Sequence, residues 1–134
     1  MKVKGLSDQL SEEQRVALAV TIRGNPRYQI TVGKIYVVLS ISLIDNSIYF
    51  GHSPIFHVVD DAGRLVPVPS CLFEIVDGRV SQHWEARAGG HFGLRLWPPE
   101  FYSEYFHDEL SEGNEATVAI FRKVYEKIRA EFKD

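Results

Sequence analysis

Residues 31–43 read TVGKIYVVLSISL. Ile35, Val37, Leu39, Ile41 and Leu43 occupy every second position, and Lys34, Tyr36, Val38, Ser40 and Ser42 fill the gaps. A period of two is the mark of a β-strand with one face toward a core. The run predicts a half-buried antiparallel strand from about residue 34 to 43, with the odd face inward. The rest of the chain reads as the structure that this strand anchors.

The chain has 134 residues, 45% apolar and 25% charged, as in an ordinary globular domain. A single domain over 1–134 is expected. The net charge of −3 argues against nucleic-acid binding by bulk electrostatics. A lone cysteine, Cys71, forms no internal disulfide. The N-terminal MKVKGLSDQLSEEQ lacks an apolar core of the signal-peptide kind, and the longest apolar run is too short to span a bilayer. A soluble, cytoplasmic protein with no membrane contact follows as the expectation.

Upstream, Val16, Leu18, Val20 and Ile22 alternate and favour a strand over 15–23. A short helix capped at Ser11, with Glu12 and Glu13 in its first turn, is the competing reading. Downstream, Ile55–Val59 predicts a strand, and Pro67 and Pro69 confine the next segment to a sheet edge. Residues 71–76 form a further strand, and Asp77-Gly78 signals a type I′ hairpin that pairs it with 79–85. Phe92, Leu94 and Leu96 alternate once more. Pro98-Pro99 then opens a helix over about 99–109, and Asn114 caps a second over about 114–132. Strands first and helices last give an α+β fold. Its core is a small, curved antiparallel sheet or barrel of five to six strands, followed by two C-terminal helices.

The GK-x-Y-x-V pattern of Gly33–Val38 and the later LFEIVD of residues 72–77 resemble the SH3-like small barrel over roughly residues 31–77. The whole layout, closing with W-P-P-x-F and a helix, is similar to small single-domain bacterial proteins, some of which are immunity proteins that neutralise a toxin domain. The resemblance implies a non-enzymatic, antitoxin-like role as toxin inhibitor and assigns no catalytic residue.

No reaction motif appears. The histidines His52, His57, His83, His91 and His107 lack zinc spacing, so no metal or other cofactor is expected. Cys71, at the start of an apolar strand, behaves as a small hydrophobe. Gly89-Gly90 is no phosphate loop. The informative feature is charge. Between Arg95 and Arg122 there is no lysine or arginine, and the window holds Glu100, Glu104, Asp108, Glu109, Glu112 and Glu115. A continuous helix stacks Glu100, Glu104 and Asp108 on one face, at a cost of about 0.2–0.5 kcal/mol per like-charged pair. Phe101, Tyr102, Tyr105 and Phe106 lie among them.

An acidic face with aromatic anchors suits a positively charged protein partner, since charge steers the encounter and aromatics hold it. The expected partner-binding set is Glu100, Tyr102, Glu104, Tyr105, Asp108, Glu109 and Glu112. A nuclease-type toxin is the concrete partner. The competing expectation is a small ligand- or metal-binding barrel, or an enzyme, with a site at His57, His83, Trp84 and His91. A third, nucleic-acid binding, requires Arg64, Arg79, Arg87 and Arg95 to cluster on one sheet face.

Overall fold

The computed structural model describes residues 1–89 and 92–133. The opening stretch is two strands, each in a different sheet. β1 (Lys2–Gly5), β2 (Ile35–Val37) and β6 (Phe73–Asp77) form a three-stranded antiparallel sheet in the order β2-β1-β6. β3 (Ser40–Ile44), β4 (Ile55–Val59), β5 (Leu65–Pro69), β7 (Glu85–Gly89) and β8 (Phe92–Trp97) form a five-stranded sheet in the order β5-β4-β3-β8-β7. Among the described residues, three α-helices, α1 (Glu12–Leu18), α2 (Phe106–Ser111) and α3 (Glu115–Glu131), and two short 3-10 turns complete the elements.

The chain changes sheets at Val38-Leu39, and both side chains are fully buried. Val38 enters a core between the sheets, with Val3, Tyr36, Ile41, Phe56, Val58 and Phe73. Leu39 enters a second core on the other side of the large sheet, with Trp97, Phe101, Phe121, Val124 and Ile128. Period-two geometry makes this possible: adjacent residues point to opposite faces. β4 follows the same rule. Phe56 and Val58 face the first core, while Val59 packs against the second.

This double covering corrects the expected face. Ile35 and Leu43 are 46% and 38% exposed, whereas Tyr36, Val38, Ser40 and Ser42 are buried. Ser42 is tolerated inside because its Oγ accepts a hydrogen bond from Trp97 Nε1 at 3.0 Å. The α+β class holds, and the described residues place eight strands, not five to six, in two antiparallel sheets that are not closed.

Residues 12–18 are helical, which corrects the strand expected over 15–23. Ser11 Oγ accepts from Gln14 N at 3.1 Å, and Gln14 Oε1 accepts from Ser11 N at 2.8 Å. This reciprocal capping box outweighs the alternation. Val16 lies on the solvent side, 79% exposed. Ser11→Ala should cost about 1 kcal/mol, read as a fall in urea midpoint.

The Asp77-Gly78 hairpin is also corrected. Gly78 does not adopt positive φ, and Arg79 turns back to grip the Asp77 carboxylate with its backbone N–H and guanidinium. The chain therefore leaves β6 without a return strand, and β1 is β6's neighbour. Residues 70–72 form a 3-10 turn, so the strand expected from 71 begins at Phe73. β5, with its two prolines, lies at a sheet edge as expected.

Asp61 fixes the approach to β2. Its carboxylate accepts from Thr31 Oγ1 at 2.6 Å, Lys34 Nζ at 2.7 Å and Tyr36 OH at 2.7 Å. The Lys34 and Thr31 hydrogen bonds hold its pKa down at about 2. The folded value lies below the unfolded one, so this stabilisation is present above about pH 4 and is lost as pH falls toward 2. Because the carboxylate is exposed and solvent-screened, Asp61→Ala should cost only about 1 kcal/mol at neutral pH and less at pH 2.5, checked by thermal melts at both.

Candidate functional site

The acidic segment does not form one helix. Pro99–Tyr102 is a 3-10 turn, Ser103 is extended, and Tyr105 is left-handed at φ 64° before α2 begins. The second core requires this break. Phe101 and Phe106 are both buried and stack with ring centroids 4.9 Å apart. On a continuous helix, residues five apart point about 140° away from each other. The expected helix over 99–109, with Glu100, Glu104 and Asp108 stacked on one face, is thereby corrected. The second helix, α3, is capped by Asn114, whose Oδ1 accepts from Thr117 N at 3.0 Å.

The candidate residues divide by what they already contact. Glu100 pairs with Lys127 at 3.6 Å. Glu109 accepts from the buried Thr117 hydroxyl at 2.7 Å and ties α2 to α3. Tyr102 stacks on Trp97 at 5.0 Å, donates to the Glu85 carbonyl at 2.6 Å and lies under the Arg87 and Arg95 guanidiniums. Its ring is part of the packing and is not displayed. Glu104, Asp108 and Glu112 are exposed and make no ion pair among the described residues. Tyr105 is 64% exposed. It stands at a shallow depression of about 450 Å³, lined further by Asp108, Glu109, Ser111 and Glu112.

The histidines separate. His52 Nδ1 bonds the Asp45 carbonyl at 2.8 Å, and His83 sits in the turn after Ser81. His91 lies outside the described residues. Trp84 Nε1 donates to the Leu39 carbonyl at 2.8 Å, a structural role at the sheet crossing. Among the described residues, no three His, Cys, Asp or Glu side chains are placed to hold a metal ion. His57 meets a different partner. On β4 its ring lies 6.2 Å from that of His107 on α2, and both flank Trp97. Burial pushes the His57 pKa down to about 4, helped by the neighbouring His107 imidazole, and burial also lowers that of His107. Nothing in the spacing of residues 57 and 107 signals this pairing, which arises from α2 packing over the large sheet.

Both imidazoles are neutral at neutral pH. Folded pKa values below the unfolded 6.5 give stability that is present above that value and lost as pH falls toward 4. Acidification from pH 7 to 4 should therefore cost on the order of 2–3 kcal/mol at this pair. A melting-temperature profile should show the fall, flattened in His57→Phe.

The arginines are dispersed. Arg64 meets Asp60, Arg79 meets Asp77, and Arg87 meets Glu85. Arg95 faces Arg87 across β7–β8, over the Trp97 and Tyr102 rings. Of the four, only Arg87 and Arg95 are paired on neighbouring strands. Cys71 is a free, half-buried cysteine, and burial raises its pKa, which favours the thiol form. No helix among the described residues is long and apolar enough to cross a membrane. Comparison with known proteins finds no matching family model, curated protein or solved structure.

Proposed function

We propose that this chain is a non-enzymatic binding module that docks a positively charged protein on its α2 face. The observation that carries the reading is Tyr105. A bulky side chain is held in a left-handed backbone conformation and presented to solvent beside three exposed carboxylates that make no ion pair among the described residues. Such a conformation costs about 1–2 kcal/mol outside glycine. A tyrosine that is 64% exposed gains little by its own packing, whereas a partner that buries it gains the whole ring. Glu104, Asp108 and Glu112 supply the field that draws a cationic surface, and Glu109 walls the depression.

In its concrete form the protein is an immunity protein, an antitoxin that occludes the basic cleft of a nuclease-type toxin by steric and electrostatic blockage. The test is the triple reversal Glu104→Lys, Asp108→Lys and Glu112→Lys, all at exposed positions. Immobilised wild type should retain a basic protein from native extract at low salt and release it at high salt, and the variant should retain none. Equal retention by the variant, or no basic protein retained by wild type, contradicts the reading.

A further inference from the structure

A second concavity lies on the opposite flank of α2. A groove of about 670 Å³ runs between the β4–β5 edge and the α2–α3 pair. Its size falls within the roughly 300–1,000 Å³ of small-molecule sites. Its walls are largely apolar, with Pro67 on β5 and Phe121 on α3 among them. Its polar groups are the His57 and His107 rings, Ser111, and two arginines, Arg64 and Arg122. Among the described residues no carboxylate lines it, although the protein as a whole is acidic and the other flank of α2 carries Asp108 and Glu112. Arg64 makes a loose contact with Asp60 at 3.5 Å, and Arg122 has no ion pair among the described residues.

One further observation points to a ligand. His57 Nδ1 and His107 Nε2 are buried with no hydrogen-bond partner. A buried polar atom without a partner is costly to leave unmet, and the two rings that carry these atoms border one groove. A neutral imidazole can place an N–H at either nitrogen, so both are able to donate.

We infer that this groove binds a small amphiphilic carboxylate, its apolar body against Pro67 and Phe121, its anionic end held by Arg122 and by the two imidazole rings. Cationic amphiphiles are repelled by the arginines, and neutral ones gain only the apolar wall. The site stands independently of the α2 docking face.

The test titrates the uniformly labelled full chain with hexanoate, hexanol and hexylamine, followed by amide spectra and by histidine ring nitrogen shifts. Hexanoate should move the signals of His57, Val66, His107 and Phe121 saturably, with a roughly millimolar Kd typical of so small a probe. The orphan ring nitrogens should shift with them. Hexylamine should give no such shifts, and hexanol should bind more weakly than hexanoate. Arg122→Gln, at an exposed position, should weaken hexanoate roughly tenfold. Absence of saturable shifts, equal binding of the amine or the alcohol, or an unchanged Kd in Arg122→Gln would overturn the inference. Because the readout in wild type includes the rings themselves, no core histidine variant has to fold.

Discussion

Tyr105→Gly should make the protein more stable and a poorer binder. Glycine relieves the left-handed strain at φ 64°, and the Tyr105 side chain makes no capping hydrogen bond that would be lost. The backbone carbonyl of residue 105, which accepts from Glu109 N at 2.9 Å, is kept. Stability should rise by up to about 1 kcal/mol, less the extra entropy of glycine in the unfolded chain. Partner affinity should fall by about 2 kcal/mol or more, some 30-fold, as for an aromatic anchor at the centre of an interface. Tyr105→Ala separates the two effects, since it removes the ring and keeps the strain. It should bind as weakly as the glycine variant and be less stable than it. Denaturant titration and equilibrium binding on the three proteins make the comparison. A purely structural Tyr105 predicts lower stability and unaltered affinity.

Gly51→Ala should be among the most damaging single-methyl additions in the chain. Gly51 has φ 57°, and a Cβ there would overlap the Leu18 carbonyl. That carbonyl closes the end of α1 by accepting from His52 N at 2.8 Å. Neither side can retreat. Ala19 is itself left-handed behind Leu18, and the turn is pinned by Gly51 N to Ser47 O at 2.7 Å. Overpacking and positive φ together should cost about 3 kcal/mol, or roughly 10 °C in melting temperature. Gly63→Ala is the matched control. It has φ 80° with open space around its Cβ, and should cost only about 1 kcal/mol.

The class of the fold was legible where local chemistry and tertiary packing agree. Ile55–Val59, the proline-bearing edge strand and the Asn114 cap all stand where their residues predict. The errors share one cause, a local signal outvoted by a longer-range one. The alternation over 16–22 yielded to the Ser11–Gln14 box, whose S-x-x-Q spacing was present in the sequence. Over residues 34–43 period two points to one buried face, the odd one, and does not reveal a strand covered on both sides. Asp77-Gly78 did not turn because Arg79 captured the aspartate.

The acidic window was legible as charge, but its geometry was not. The helix is broken where Phe101 and Phe106 both turn into the second core, with Tyr105 left outward and Tyr102 stacked on Trp97. The meeting of His57 with His107 depends on how α2 lies across the sheet, and no spacing along the chain encodes it.

The most direct measurement places a photo-crosslinking phenylalanine analogue at position 105, and at Val16 as an exposed control, in the full-length protein in native extract. The account predicts one basic protein crosslinked at position 105, suppressed by high salt and by Glu104→Lys with Asp108→Lys, and absent from the control at position 16. No adduct at 105, or the same adducts at both positions, would contradict the claim that the α2 face is a docking site.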